Sequence, residues 1–269
     1  MTLIFLFVNH LVGEDFFSKK YEAFGLNYNT IPAEYSVATL QNQLDRTVME
    51  ADRQVMLKQL TNWRNKFAPD AKPKMVFLCA SGGGKRASLW TLNALQHADS
   101  LTHGKLMENS VLITGASGGL IGASYFRELK LREKLGEKTN PYASAHRQKI
   151  SSDNLNPLIF SLLANDLFVG FTKFTYAGKA YERDRAFTFE DQLNQITEGL
   201  MDKPIRAYAD VEGMGITPMV ILAPTVINDG RKIYIASKPV SFMNSEEMNF
   251  PDYHQLKVSG IDFLRFFKE

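Results

Sequence analysis

The sequence is poor in the features that mark several specialised classes of protein. It contains one cysteine in 269 residues, so no internal disulfide forms and the redox compartment stays open. Its 31 basic and 29 acidic residues leave a formal net charge of +2, which does not favour a nucleic-acid partner. No group of histidines, cysteine and carboxylates has the spacing of metal ligands. We therefore expect neither a metal nor another cofactor.

Long hydrophobic runs are also missing. An apolar stretch at residues 2–12 is about half as long as the ~20 residues that cross a bilayer. It lacks a basic start and a small-residue cleavage site, which makes it a poor secretory signal. Two interpretations stay open: a short buried or interfacial segment, or the end of a membrane helix whose beginning is absent. We expect a membrane-associated or cytoplasmic protein.

The composition favours a globular chain with a substantial core, since 45% of the residues are hydrophobic. Helical spacing of apolar residues from Ser36 to Phe67 predicts one long helix or two short ones, whose methionine and aromatic stripe we assign to core packing. The segment 68–73 holds two prolines and breaks this pattern. We predict an apolar and helical extension over residues 1–73 and a main domain over residues 74–269.

The most informative stretch runs from Val111 to Tyr125, where an apolar run, a glycine cluster and a helical pattern follow one another. Gly115-Ala-Ser117-Gly-Gly119 satisfies G-x-S-x-G, the pattern of a nucleophile elbow, in which a serine stands on a strained turn after a buried strand. Glycines allow the unusual backbone angles and close approach that such a turn needs. Ser117 is the candidate nucleophile. The alternative is a tight turn whose serine only caps the helix.

A second glycine cluster precedes the first in the same kind of setting. The apolar run 74–80 predicts a strand covered on both faces, with Cys79 as a small core residue. Glycines 82–84 and a helical segment follow it, and the next strand, at 110–114, leads into the helix that Gly136 ends. This βαβα order predicts a parallel sheet. The alternating charges from Arg127 to Lys138 predict a solvated helix face.

The two glycine clusters are expected to share one crevice, because neighbouring parallel strands end at the same edge of a sheet. The amides of Gly82, Gly83 and Gly84 then form a candidate oxyanion hole for a carbonyl attacked by Ser117. Lys85 and Arg86 are candidate anion-binding residues for a phosphate headgroup or a carboxylate.

Other interpretations of the glycine loop are weaker. A helix-capping loop with two solvated basic residues would be preferred without Ser117. A P-loop requires serine or threonine after the lysine, and Arg86 stands there. A dinucleotide site requires an acidic residue at the end of the next strand, which ends in Ile113 and Thr114.

The glycine loop, followed at this distance by the Ser117 elbow, resembles the patatin-like phospholipases. The resemblance covers residues 74–269 and implies a three-layer α/β/α fold with a mostly parallel sheet. It also implies hydrolysis of acyl esters in lipids at a membrane surface, by a Ser–Asp dyad without histidine. Carried over, Ser117 is the nucleophile, Gly82 to Gly84 form the oxyanion loop and Arg86 is the loop arginine. Ser81 and Ala87 depart from the family's usual Asp and Gly.

The dyad aspartate is the serious departure from the family pattern. The one Asp-Gly pair, Asp229-Gly230, stands between two predicted strands, 217–227 and 232–237, and Asp-Gly is foremost a hairpin turn pair. Asp252 and Asp262 lack the following glycine. We expect the dyad aspartate to lie after Glu269, in sequence that a C-terminally truncated chain lacks. Ser117, Asp229 and His254 also occur in the Ser–Asp–His order of α/β-hydrolases, although His254 has no strand-end signature.

Three further segments have local signatures. Residues 158–170 predict a buried apolar helix, Thr188 begins a capping box before a helix, and residues 259–262 predict another helix start. Two functional hypotheses follow from the whole pattern. The first is a serine lipid acyl hydrolase. The second is a catalytically silent, membrane-associated lipid-binding module of the same fold.

Overall fold

The computed structural model describes residues 28–152, 155–161, 173–246 and 257–267. The chain divides into two compact units. The larger comprises Ala33–Ser152 and Thr197–Glu269, and the smaller comprises Met1–Pro32 and Asp153–Ile196.

The larger unit is mixed α/β. Its helices and strands up to residue 152 are α1 (Val37–Asn42), α2 (Arg46–Arg64), β1 (Val76–Ala80), α3 (Gly84–Leu101), α4 (Lys105–Asn109), β2 (Ser110–Gly115), α5 (Ser117–Lys134) and α6 (Ser144–Ser151). The smaller unit contains α7 (Leu155–Ser161), β3 (Lys173–Tyr176), β4 (Lys179–Glu182) and α8 (Arg185–Ile196). The larger unit continues with α9 (Ala209–Gly213), β5 (Met219–Ile221), β6 (Lys232–Tyr234), β7 (Ser245–Glu246), β8 (Lys257–Val258), β9 (Gly260–Asp262) and α10 (Phe263–Phe266). Two short 3-10 helices lie at Ile205–Tyr208 and Ser241–Met243.

A parallel sheet in the order β1-β2-β5 forms the centre of the larger unit. The last residue of β1, Ala80, pairs with Gly115, the last residue of β2. The two strands therefore end level, and the segments that follow them emerge at one edge of the sheet. This confirms the predicted strands and the predicted parallel pairing.

Helices α3 and α5, which follow the two strands, pack directly on each other. Their backbones approach so closely that a Cβ at Gly122 would overlap the carbonyl oxygen of Ser88. On the strands themselves, Leu112, Met219 and Ile221 pack in a core cluster with Met56 of α2. Helix α5 contacts β1 and β2.

Strand β1 is more exposed than the apolar run predicted. Its side chains alternate between half-buried and exposed, and Phe77 is 56% exposed. Cys79 is also exposed, so its prediction as a core residue was wrong. The physical reason is position, because among the described residues β1 pairs with β2 alone and forms an edge of the sheet.

The predicted solvated face over residues 127–138 was correct for residues 134–138, which are exposed, but wrong for Arg127, Glu128 and Lys130, which are buried. Each meets a partner from another segment. Arg127 forms an ion pair with buried Glu212, and Glu128 accepts a hydrogen bond of 2.8 Å from the Tyr208 hydroxyl. Up to Lys130, the charges on α5 therefore form ion pairs and hydrogen bonds with other segments.

The predicted helical segment before residue 67 consists of two helices, α1 and α2. Asp45 separates them and caps α2, because its carboxylate accepts hydrogen bonds from the amides of Thr47 and Val48. The predicted hairpin after Thr217 is also present. Leu222 pairs with Ile235 in antiparallel fashion beyond the short strands β5 and β6.

Two predicted helix starts needed correction. Helix α8 begins at Arg185, before Thr188, because the Asp184 carboxylate accepts a hydrogen bond of 2.8 Å from the Phe187 amide. Residues 260–262 form strand β9, parallel to β6, and Asp262 then caps α10 through the Arg265 amide at 2.8 Å. Of the predicted apolar helix at 158–170, the part up to Ser161 belongs to α7 and the rest lies outside the described residues.

Candidate active site

Ser117 is the first residue of α5 and is exposed. Its φ of +48° lies in the left-handed region, which a residue with a Cβ occupies at a cost of roughly 1–3 kcal/mol. The residue before it, Ala116, is extended and takes the N-cap position without a side-chain hydrogen bond. Ser117 therefore does not cap the helix. Its backbone has the strained conformation that the elbow motif predicted.

The glycines around Ser117 are required by close approach to the preceding loop. A Cβ at Gly119 would overlap the carbonyl oxygen of Ser81, and one at Gly118 would overlap that of Gly84. At Gly115, where φ is +158°, it would overlap the carbonyl oxygen of Ala80. No larger residue fits these positions without moving backbone, so the elbow and the glycine loop are held together.

The glycine loop lies beside the nucleophile. A Cβ at Gly82 would stand 3.5 Å from the Ser117 Cβ, an ordinary van der Waals distance. Gly83 then takes a φ of +144° and Gly84, with a φ of +59°, begins α3. Within the described part of the chain, the amides of Gly82 and Gly83 donate no hydrogen bond. The structure thus brings together the predicted nucleophile and the predicted oxyanion loop.

Two helix N-termini converge on this point. Helices α3 and α5 each have 18 residues, and they begin at Gly84 and Ser117. The Ser88 hydroxyl of α3 donates a hydrogen bond of 2.7 Å to the Gly118 carbonyl and joins the two starts. The positive ends of both helix dipoles face the same site, which favours a developing negative charge there.

Beside the loop, a cavity of about 300 Å³ lies between β1 and α3. Ser81 and Gly82 border it, and Cys79, Trp90 and Ala94 belong to its lining. The sequence did not reveal this cavity. The local sign of it in the sequence was that small residues, at 87, 91 and 94, lie along one face of α3.

A second groove, of about 560 Å³, lies between α3 and α6 and has two arginines among its lining residues. Its lining includes Arg86, Trp90, Asn93 and Arg147. Arg147 is oriented by a hydrogen bond of 2.7 Å to the Gln96 side chain. Arg86 therefore borders a concave surface, together with Arg147, which no sequence motif indicated. Lys85 is not part of its lining.

Asp229 has the role of a turn residue. Its carboxylate accepts hydrogen bonds from the Arg231 amide at 3.0 Å and the Tyr35 hydroxyl at 2.7 Å, and it pairs with the Arg231 guanidinium. The Arg231 amide and the Tyr35 hydroxyl hold the pKa of the Asp229 carboxyl below its usual value. The structure does not join this carboxylate to Ser117.

No other described residue supplies a base to Ser117 in this structure. Over residues 28–152, 155–161, 173–246 and 257–267, the Ser117 hydroxyl forms no hydrogen bond with an aspartate, glutamate or histidine. Asp262 is buried, and its two carboxylate oxygens accept from the amides of Val240 and Arg265. Asp252 and His254 lie outside the described residues.

Comparison with protein-family models, curated proteins and solved structures gave no match. In the described part of the chain, no group of histidine, cysteine and carboxylate side chains is arranged to hold a metal ion. No helix there combines the length and hydropathy needed to cross a membrane. Residues 1–12, with the predicted apolar stretch, lie outside that part.

Proposed function

We propose that the chain is a serine acyl hydrolase of the patatin-like kind, with a three-layer α/β/α fold, that cleaves fatty-acyl esters of lipids. One observation carries the proposal. Ser117, with a φ of +48° at the end of a parallel strand, lies against a glycine loop between two helix N-termini. Strain of this kind persists where the surrounding structure enforces it and clusters at active sites.

The proposed reaction begins when the Ser117 oxygen attacks the ester carbonyl and passes its proton to a base. The oxyanion accepts hydrogen bonds from the amides of Gly82 to Gly84, each donor being worth about 3–4 kcal/mol in the transition state. The alcohol leaves with the proton from the base, and water then hydrolyses the acyl-serine ester. For this chain, the proposal assigns the base to one of its own aspartates outside the described residues, in place of one after Glu269, since no described aspartate contacts Ser117.

The groove between α3 and α6 is the proposed site for an anionic headgroup. Arg86 lies two residues after Gly84 on α3, and Arg147 lines the same groove from α6. Guanidinium groups bind phosphate with paired, charge-assisted hydrogen bonds. The proposed substrate is therefore a phospholipid or another acyl ester with an acidic headgroup, presented at a membrane surface.

Hydrolysis of a 4-nitrophenyl fatty-acyl ester tests the proposal, with wild type compared with Ser117→Ala and Ser100→Ala. Ser100 is an exposed serine near the end of α3 and serves as the matched control. We expect turnover in wild type and Ser100→Ala and none above background in Ser117→Ala. Undiminished turnover in a folded Ser117→Ala protein would contradict the proposal.

A second candidate function is a catalytically silent lipid-binding module of the same fold. The observation that favours it is that no described base contacts Ser117. This candidate predicts equal binding of wild type and Ser117→Ala to phospholipid vesicles, with no ester turnover in either. Turnover that depends on Ser117 excludes it.

A further inference from the structure

The cavity between β1 and α3 has an apolar lining. Alanines from three elements, Ala80, Ala87 and Ala123, leave the space that larger residues would fill, and Leu78 and Leu95 add aliphatic surface. Among the described residues that line it, none is charged, and the side-chain hydroxyls are those of Ser81 and Thr91. A cavity of this composition attracts hydrocarbon and offers little to a polar ligand.

The position of the cavity connects it to the nucleophile. Ser117 does not line it, but Gly82 does, and a Cβ at Gly82 would be 3.5 Å from the Ser117 Cβ. An acyl group on the Ser117 oxygen, with its carbonyl oxygen at the glycine loop, therefore reaches the cavity by passing Gly82. The groove with Arg86 borders a neighbouring stripe of α3, and Trp90 lines both spaces.

We propose that this cavity binds the acyl chain of the substrate and accommodates up to about ten carbons. A methylene group occupies roughly the volume of a liquid water molecule, ~30 Å³, so 300 Å³ corresponds to about ten of them. This inference rests on the proposed function for its link to Ser117. Binding of a medium-length hydrocarbon chain to the cavity itself is measurable without turnover.

The chain carries two natural reporters of this cavity. Cys79, the only cysteine, lines it and is exposed, so one alkylation rate measures access to it. Trp90 lines it and is 71% exposed, whereas the only other tryptophan, Trp63, is 5% exposed. A change of solvent-sensitive tryptophan fluorescence on ligand binding therefore reports on Trp90.

The experiment measures alkylation of Cys79 by N-ethylmaleimide and tryptophan emission in the full chain, with and without decanoate. We expect saturating decanoate to slow alkylation at least ten-fold and to move the emission to shorter wavelength. Ser117→Ala should show the same protection, because the cavity does not include the nucleophile. Across fatty acids of four to sixteen carbons, affinity should rise two- to four-fold per methylene and level off near ten.

Ala94→Phe fills the proposed site, since Ala94 lines the cavity. The matched control, His97→Phe, adds the same ring at an exposed position of α3 outside the lining. We expect Ala94→Phe to abolish protection by decanoate and His97→Phe to retain it. Circular dichroism identifies any variant that has failed to fold, and Ala94→Leu then replaces Ala94→Phe with a smaller loss of protection expected.

The outcomes separate the two proposals. Protection of Cys79 without ester turnover supports the cavity and contradicts the hydrolase. Turnover that depends on Ser117, with Cys79 alkylated at the same rate at every decanoate concentration, supports the hydrolase and overturns the cavity. Protection that persists in Ala94→Phe also overturns it, because the chain then binds elsewhere.

Discussion

At the scale of single residues, Ser117 depends on its neighbours for its conformation. The left-handed backbone at Ser117 is maintained because Gly118 and Gly119 bring the start of α5 against the carbonyls of Gly84 and Ser81. The Ala116 amide adds a hydrogen bond of 2.9 Å to the Ala80 carbonyl. Close backbone contact therefore fixes the serine, and the contact has no room for a methyl group.

This contact predicts unequal effects for two glycine substitutions. Gly119→Ala should lower the free energy of unfolding by about 1–3 kcal/mol, because the added Cβ overlaps the Ser81 carbonyl and the backbone must shift. Gly82→Ala, whose Cβ meets nothing closer than 3.5 Å, should change it by less than ~0.5 kcal/mol. Urea unfolding of both variants measures the difference. Equal stability would show that the close approach is absent in solution.

The burial of individual side chains was the property that the sequence predicted least well. The apolar run at 76–80 was correctly assigned to a strand, yet the exposure of Cys79 depends on which strands pair, and that depends on residues far along the chain. The strained backbone of Ser117, by contrast, was predicted from the five residues 115–119, whose glycines are typical of a tight turn. Local chemistry predicted the elbow, while long-range pairing decided the exposure.

At the scale of elements, α5 shows the same limit. Its boundaries followed from the glycines at its start and from Gly136 after its end. The burial of its charges did not, because their partners Glu212 and Tyr208 are some eighty positions away in sequence. The boundaries of a helix depend on residues next to each other in sequence, whereas its ion pairs depend on residues that are far away in sequence.

Glu128 on α5 links this burial to pH. Burial raises the pKa of its carboxyl, but hydrogen bonds from Lys203, Tyr208 and Arg132 outweigh burial and lower the pKa overall. The pKa of Glu128 is therefore lower in the folded protein than in the unfolded chain. Its contribution to the free energy of unfolding is present in full above about pH 4.3 and is lost as the pH falls further.

The prediction compares wild type with Glu128→Gln by urea unfolding from neutral to acidic pH. The wild type should be more stable at neutral pH, and its advantage should shrink as the pH falls below about 4.3. The comparison cancels the opposite contribution of Glu212, whose pKa is raised by burial. Glu137→Gln, at a half-exposed carboxylate just after α5, is the control for the removal of a carboxylate that is not buried. A pH-independent advantage would contradict this account of Glu128.

In the proposed site, helix α3 borders the acyl-chain cavity with one stripe of residues and the headgroup groove with the next. One stripe borders the apolar cavity and the other borders the groove with Arg86. Neither surface was predictable from the α3 sequence, because each needs a second element, β1 or α6, to become concave.

The groove between α3 and α6 predicts a headgroup effect. Arg147→Gln should lower kcat/KM for an acyl ester with a phosphate headgroup about ten-fold, because a charge-assisted hydrogen bond is lost. A neutral 4-nitrophenyl ester of the same chain length should be nearly unaffected. Lys149→Gln, on the same helix but outside the groove, is the matched control. Equal losses on both esters would instead indicate a structural role for Arg147.

At the scale of the whole molecule, the βαβα core of the larger unit explains why distant residues form one site. Strands β1 and β2 end level at Ala80 and Gly115, so the two glycine segments meet. The sequence order predicted this arrangement, because neighbouring parallel strands with short following loops have few alternatives. The division of the chain into two units, with residues 153–196 in the smaller one, had no comparable signal.

The most direct test of Ser117 as an activated nucleophile is labelling with a fluorophosphonate, followed by peptide mass spectrometry. The account predicts one adduct, on Ser117, that is absent from Ser117→Ala and present in Ser100→Ala. Folded protein that gains no adduct, or that gains an adduct elsewhere which survives Ser117→Ala, would contradict the central claim.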